Sequence, residues 1–219
     1  MKAQRLFDGI FSIDGRLSTI NLVKGTKVYG EDLISNEDKE YRSWNPYRSK
    51  LAAAILNGLK EMHIKKGSQV LYLGAATGTT ASHVSDIVDT KGEVYCIEIS
   101  ERNMRELLKV CEKRSNMLPI LQDARNVDAY RDEIQSADCI YQDVAARDQD
   151  KILLNNAELL KKGGYAYVAI KSQSIDVSKD PRIVFKGFLD SVSEKFSVLE
   201  KIDIEPYDKM HLFVVLKKK

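Results

Sequence analysis

The sequence predicts an α/β fold: a doubly wound, mostly parallel sheet with an antiparallel edge hairpin, preceded by a small N-terminal antiparallel β unit. Three observations point there. From Leu51 onward, apolar runs of strand length alternate with segments whose apolar residues recur at helical spacing. The last two apolar runs, residues 197–204 and 211–216, are joined by a short polar loop, which suits a hairpin better than a crossover. Before Trp44 the texture is different, with alternating runs punctuated by Asp14-Gly15 and Lys24-Gly25. Strands interleaved with helices give parallel pairing, and a closing hairpin gives the antiparallel edge.

In the first 44 residues the runs 7–13, 17–23 and 27–29 read as strands, with Asp14-Gly15 as a hairpin turn. Residues 1–44 are therefore assigned to the β unit and residues 45–219 to the α/β domain. In the latter, Leu51, Ile55, Leu59 and Met62 share one helix face, and Val70 to Leu73 form a short apolar strand ending in glycine. Ala81, Val84, Ile87 and Val88 mark the next helix, and residues 93–99 the next strand. Ser100 caps a helix that buries Met104, Leu107, Leu108 and Cys111. Strands follow near 118–121 and at 138–142, then a helix carrying Ile152, Leu153, Leu159 and Leu160 up to a break at Gly163-Gly164. The unbroken apolar run 165–170 reads as a strand buried on both faces. Asp180 as cap and Pro181 in the first turn open the last helix, with Val184, Phe188, Val192 and Phe196 on one face.

The 34 basic and 32 acidic residues nearly cancel, so bulk charge gives no sign of a protein that wraps nucleic acid by itself, and any such affinity must come from a local patch or from partners. Of the three cysteines, Cys96 and Cys139 fall in apolar strand-like runs, and neither they nor Cys111 form a C-x-x-C pair or sit at metal-ligand spacing. They read as buried thiols of a reducing compartment. No stretch approaches the roughly 18 consecutive apolar residues of a membrane span, so the expectation is a soluble, intracellular protein with no membrane partner.

In a doubly wound sheet, ligands bind beyond the carboxyl ends of the strands where strand order reverses, so the residues following each apolar run carry the most information. The first run ends in Leu73-Gly74-Ala75-Ala76-Thr77-Gly78-Thr79-Thr80, small residues that let a ligand approach the backbone. The same residues would also serve a tight turn packed on the sheet. Their spacing is not the G-x-G-x-x-G that cradles a pyrophosphate. The second run ends in Glu98, where a carboxylate can accept hydrogen bonds from both hydroxyls of a ribose. Asp123 follows the third run and Asp143 the fourth. Glycine and carboxylates at four consecutive strand ends, with nothing basic in the first loop, suit S-adenosylmethionine better than a phosphate-rich ligand.

The strand at 165–170 runs straight into Lys171, which should emerge beside Asp143 from the neighbouring strand, and Lys50 lies just ahead of the first α/β helix. A single lysine at a strand end is usually a surface group. Two lysines converging on an aspartate are a different matter, because a nearby cation and partial burial both lower a lysine pKa toward the range useful for a base. His63 and His83 do not fall at strand ends and read as structural residues on helix faces.

The segment Leu71-Tyr72-Leu73-Gly74-Ala75-Ala76-Thr77-Gly78-Thr79-Thr80, with Ser82-His83-Val84-Ser85-Asp86 after it, resembles fibrillarin, the methyltransferase of box C/D guide-RNA particles. So do Asn45-Pro46-Tyr47-Arg48-Ser49-Lys50-Leu51-Ala52-Ala53, Gln122-Asp123-Ala124-Arg125, Asp143-Val144-Ala145, Ile170-Lys171 and Glu205-Pro206-Tyr207. The resemblance covers nearly the whole chain. It implies a Rossmann-like class I S-adenosylmethionine-dependent methyltransferase sheet and transfer of methyl to ribose 2′-hydroxyls of rRNA, with tRNA as a further substrate. It further implies a catalytic set matching Lys50, Asp143, Lys171 and His211, with cofactor contacts at Gly74, Ala75, Thr79, Thr80, Glu98, Ile99, Asp123, Ala124, Asp143, Val144, Ala145 and Ala146. The implied partners are a Nop-family scaffold protein, a box C/D guide RNA with its target, and a kink-turn-binding protein. The glycine-arginine-rich extension of eukaryotic members is absent, which resembles the archaeal form and a cytoplasmic site of action. Two departures stand out: Asp143-Val144-Ala145-Ala146-Arg147 lacks the Gln-Pro that often follows Asp-Val-Ala, and Met210 precedes His211 where the family usually has aspartate.

The mechanism that these residues suggest has Lys171 as the base, its pKa lowered by Lys50 and burial, Asp143 holding the ammonium groups, and His211 orienting the ribose or neighbouring groups. A catechol-type methyltransferase would want a metal-binding carboxylate cluster after the fourth strand, where Asp143-Val144-Ala145 offers one carboxylate. A nicotinamide dehydrogenase is disfavoured by the loop glycines, and a non-catalytic particle subunit by the four candidate catalytic residues.

Overall fold

The computed structural model describes residues 2–219, so residue 1 of the expected β unit lies outside the described residues. Five antiparallel strands form the first sheet: β1 (Ala3–Phe7), β2 (Ile10–Ile13), β3 (Arg16–Ile20), β4 (Leu33–Asn36) and β5 (Lys39–Ser43), in the order β1-β2-β3-β5-β4. The run 7–13 is not one strand. It is divided by a turn at Gly9, whose φ of 74° and whose close approach to Ile87, 3.2 Å from an added Cβ, leave no room for a side chain. Residues 27–29 form no strand either, because the Glu31 carboxylate accepts from the backbone N–H of Val28 (2.9 Å) and Tyr29 (2.8 Å) and gathers that segment into a turn.

The α/β part begins with α1 (Lys50–Leu56), capped by the Ser49 hydroxyl. The helix stops at Asn57, and Gly58 follows with φ 97°, so Leu59 and Met62 lie beyond it in irregular chain although Leu59 is still buried. The sheet then adds β6 (Gln69–Leu73), β7 (Glu93–Glu98), β8 (Met117–Leu121), β9 (Ala137–Gln142), β10 (Leu160–Lys171), β11 (Phe196–Asp203) and β12 (His211–Lys218). The remaining helices are α2 (Thr79–Val88), α3 (Glu101–Cys111), α4 (Gln149–Asn156), the single turn α5 (Ser172–Ile175) and α6 (Pro181–Val192). Ser100 and Asp180 cap α3 and α6 as their positions suggest. Leu108 of α3 is exposed rather than buried. Leu160 already belongs to β10, and Gly163-Gly164 is not a break but an irregularity inside that strand, where pairing with β9 shifts register between Leu160 and Tyr165. Phe196 starts β11 instead of ending α6.

Strand order is β11-β12-β10-β9-β6-β7-β8, with β8, β7, β6, β9 and β10 mutually parallel, β12 antiparallel to β10, and β11 antiparallel to β12. The order reverses between β6 and β9, which sets Gly74 and Asp143 side by side at the ligand-binding end of the sheet. Alternate side chains of each strand feed two apolar layers. Val70, Tyr72 and Cys96 face α1 and α2, and Leu71, Leu73 and Ile97 face the opposite layer with Ile152 and Phe188. Cys96 and Cys139 are buried free thiols, and burial pushes the Cys139 thiol up to about 12. Among the described residues no helix is long and apolar enough to cross a membrane.

The first sheet is fastened to α2 by a buried polar cluster. Asp86 accepts from Arg42 Nη1 (2.9 Å), Arg114 Nη1 (2.6 Å), Thr19 Oγ1 (2.7 Å) and the backbone N–H of Leu22 (3.0 Å). Arg42 also donates to Glu31 (2.6 Å) and to the Ser82 hydroxyl (2.9 Å). Beside them His83 stacks on Trp44 at 4.7 Å, with Nδ1 2.8 Å from Thr19 Oγ1 and Nε2 2.8 Å from the Tyr29 hydroxyl. The expectation of a structural helix-face role describes His83 but not His63, which lies between α1 and β6 and stacks on Tyr165.

Burial, with Arg42 and Arg114 nearby, holds the His83 imidazole well below its ordinary value of 6.5. Below about pH 6.5 the unfolded chain takes up a proton that the folded chain refuses, so stability present above that pH is lost as the pH falls, by up to about 1.4 kcal/mol per unit. His83→Gln is expected to flatten the pH dependence of the melting temperature between pH 7 and 5. An unchanged slope in the variant would show that His83 is not the group responsible.

Candidate active site

Beyond the tips of β6 and β9 the backbone itself makes the floor of a cleft. Asp143 N–H donates to Leu73 O (3.0 Å), and a Cβ added at Gly74 would lie 3.1 Å from Asp143 O, so glycine at φ 82° is what allows the two loops to meet. Glu98, at the tip of β7, is buried and held rigidly: Oε2 accepts from Ala76 N–H and Oε1 from Ser100 N–H, each at 2.8 Å. Oε1 also accepts from Asn103 Nδ2 at 3.4 Å, while Oε2 keeps a lone pair for a further donor. Ile99 is 62 % exposed at the cleft edge.

The cleft is a cavity of about 380 Å³ whose lining includes Gly74, Glu98, Ile99, Asp123, Ala124, Asp143, Val144, Ala145, Ala146 and Lys171. Ala75 and Thr80 are buried beneath the loop, where Ala75 N–H donates to Ile97 O and the Thr80 hydroxyl donates to Ser49 Oγ. Thr79 lines a neighbouring cavity with Lys27, Arg48 and Lys109. Another cavity of similar size opens at the opposite end of the sheet around His63 and Tyr165, but none of the strand-tip carboxylates reaches it.

Four elements deliver the ionisable groups at the mouth. Lys50 is the first residue of α1, Asp143 follows β9, Lys171 ends β10, and His211 starts β12 directly opposite Lys171 in the antiparallel register. Lys171 Nζ lies 2.8 Å from Asp143 Oδ1 and donates to Asp143 O at 2.8 Å, while Lys50 Nζ lies 3.1 Å from the same Oδ1. The two ammoniums therefore meet through Asp143, the place at which the sequence reading set them. His211 Nδ1 lies 2.7 Å from Lys209 O and 3.0 Å from Asp208 Oδ1, and Asp208 Oδ2 lies 3.5 Å from Lys50 Nζ. The Lys171 and Asp143 side chains are 15 % and 16 % exposed, sheltered from bulk solvent yet open to a substrate.

Two contributors had no signal at a strand end. Gln149, fully buried in the first turn of α4, accepts from Lys171 N–H (3.2 Å) and donates to Ala146 O (3.1 Å), tying the end of β10 to the loop after β9. Asp208 sits in the loop before β12. A half-buried lysine–carboxylate pair at the edge of an open cleft can exchange a proton with a bound hydroxyl, and the Glu98 end of the cleft can hold a polyhydroxylated ligand.

Comparison with known proteins bears on this arrangement. The fibrillarin family model matches residues 1–219. The chain is 51% identical over 218 residues to the fibrillarin-like rRNA/tRNA 2′-O-methyltransferase of Pyrococcus horikoshii, covering 97% of this chain and 96% of that protein. Among solved structures, Aeropyrum pernix fibrillarin with natively bound S-adenosyl-L-methionine superposes with a TM-score of 0.91 at 41% identity, covering 99% of this chain and 98% of that one. A fibrillarin from a fibrillarin/Nop5p complex does so at 0.91 and 35%, covering 99% and 100%.

Proposed function

Since the chain belongs to the fibrillarin family, we propose that it is the catalytic subunit of a box C/D-type ribonucleoprotein, moving methyl from S-adenosylmethionine to the 2′-hydroxyl of a ribose in rRNA or tRNA. The observation that carries this reading is the convergence of Lys171 and Lys50 on Asp143 at the mouth of the cavity over Gly74 and Glu98. In it residues 45–219 carry the chemistry, and residues 1–44 brace α2, whose first turn follows the glycine loop.

The cavity fits the cofactor. Its floor is open because Gly74 has no side chain, Glu98 offers an anchored carboxylate to the ribose hydroxyls, and Ile99 offers an apolar face to an adenine. Asp123 and Ala124 would hold the adenine end, and residues 143–146 the wall towards Lys171. When bound, S-adenosylmethionine supplies a methyl group already activated by the sulfonium charge. The protein's part is to align the 2′-hydroxyl with that methyl and to remove its proton. Lys171, in its neutral form, accepts the proton at Nζ, and Asp143 is already placed to stabilise the ammonium that results. His211 orients the ribose or a neighbouring group, and Lys50 completes the charge balance around Asp143.

Glu98→Gln keeps the shape and replaces one acceptor by a donor. It is expected to weaken cofactor binding about tenfold to a hundredfold by calorimetry, the scale of one or two hydrogen bonds to a charged group. An unchanged Kd would remove Glu98 from the ribose site.

With near-neutral net charge, substrate choice rests on partners: a Nop-family protein, a kink-turn-binding protein, and a guide RNA whose base pairing selects the nucleotide. The test is reconstitution with all three, assayed for methyl transfer to the guided position. Robust site-specific methylation by the chain alone would contradict the partner-dependent part.

A further inference from the structure

The residue before His211 supplies no carboxylate, and the structure places one two residues further back in the loop. Met210 has φ 59° and a half-exposed side chain, so it gives His211 no acceptor of its own kind. Two residues earlier, Asp208 reaches both sides of the site: Oδ1 lies 3.0 Å from His211 Nδ1 and Oδ2 lies 3.5 Å from Lys50 Nζ. Resting on the methyltransferase reading above, we propose that Asp208 is a positioning residue for the transfer reaction, holding Lys50 and His211 in one fixed arrangement on the substrate side of Asp143.

Three features support this. The first is continuity: Lys171, Asp143, Lys50, Asp208 and His211 form an unbroken chain of alternating basic and acidic groups. Lys50 stands between two carboxylates, so Asp208 counters the pull of Asp143 on its ammonium and fixes where it points. The second is the ring state. Nδ1 of His211 faces two oxygens, Lys209 O and Asp208 Oδ1, and neither can donate when Asp208 is ionised, so the ring hydrogen belongs on Nδ1. Nε2 is then the nitrogen available to accept from a ribose hydroxyl, as the acceptor of the neutral ring.

The third is that the loop carrying Asp208 is anchored to α1 at both ends of that helix. Tyr207 packs edge-on against Tyr47 at 5.1 Å, just before Lys50, and Asn57 Nδ2 donates to Asp203 O and Glu205 O at 2.7 Å each, just after the helix. Asp208 N–H donates to Ile204 O (3.2 Å), and Met210 O accepts from the Ser172 hydroxyl (2.8 Å) beside Lys171. The carboxylate is thus placed by α1, β10 and β12 together, the elements that carry Lys50, Lys171 and His211.

The test uses the reconstituted particle and compares Asp208→Asn, Asp208→Ala and Asp208→Glu with the parent in single-turnover methyl transfer, RNA KM and cofactor Kd. Misplacing groups at a reacting centre by about 1 Å costs on the order of a hundredfold. Asp208→Ala is expected to slow transfer about tenfold to a hundredfold while KM and Kd move less than about threefold. Asp208→Asn, which keeps one acceptor but loses the charge, should fall between, and Asp208→Glu should recover most of the rate. Melting temperatures within about 2 °C of the parent would separate this from a folding defect. Should Asp208→Ala and Asp208→Asn both transfer methyl at the parental rate, or should the loss appear in Kd instead, the proposal is overturned. The underlying reading fails separately, through absence of transfer by the unmodified particle.

Discussion

Lys171→Ala is expected to lower the rate of methyl transfer by roughly 10²- to 10⁴-fold, the range that a positioned general base contributes, while leaving S-adenosylmethionine affinity within about threefold of the parent. The separation follows from where the side chain lies. The nucleoside end of the cleft is built from Gly74, Glu98, Ile99 and Asp123, whereas Lys171 stands at the mouth, bound to Asp143 through both its carboxylate and its backbone carbonyl. Lys171→Arg tests the role rather than the position. A guanidinium keeps the positive charge and can still pair with Asp143, but it does not give up its proton. If Lys171 accepts the 2′-hydroxyl proton, the arginine variant should be nearly as slow as the alanine variant. If its charge alone matters, the arginine variant should keep much of the rate.

Asp86→Ala is expected to destabilise the fold by about 3–5 kcal/mol, the cost of leaving a buried charge without its partner, and to lower the melting temperature by about 6–20 °C for a chain of this size. Arg42 and Arg114 both have fully buried guanidinium groups that meet at this one carboxylate, and Thr19 and the Leu22 backbone lose their acceptor with it. Burial already pushes the Arg114 guanidinium below its ordinary range, and Asp86 is the nearest group pulling it back. The first sheet should therefore loosen from α2 before the parallel sheet melts, visible as early loss of hydrogen-exchange protection in β3 and β5. A change below about 2 °C would mean that water or rearrangement satisfies both arginines.

The strand tips were legible in the sequence because each functional residue follows an apolar run directly. Leu73 gives way to Gly74, Ile97 to Glu98 and Ile170 to Lys171, and the parallel sheet then brings these ends to one edge. Asp208 had no such marker. Its place depends on how a polar loop folds and on the register that sets Lys171 opposite His211, and neither is local. The strands β4 and β5 escaped notice for a related reason. Lys39 to Ser43 is polar in composition, but Arg42 is buried by pairing with Asp86 and Glu31, so tertiary charge pairing overrides local preference. Helical spacing also carried on through Leu59 and Met62 past the point where Gly58 turns the chain out of α1.

On this reading the methyl group goes to a ribose oxygen at the Lys171–Asp143 end of the cleft. The most direct test is a reconstituted particle given tritiated S-adenosylmethionine and two targets, one all-ribose and one with a single 2′-deoxyribose at the guided nucleotide. One methyl per ribose target is expected, none on the deoxy target, and labelling of the ribose target at least about a hundredfold slower with the Lys171→Ala protein. Equal labelling of the ribose and deoxy targets would mean that the acceptor is a base or another atom, and would contradict the assignment.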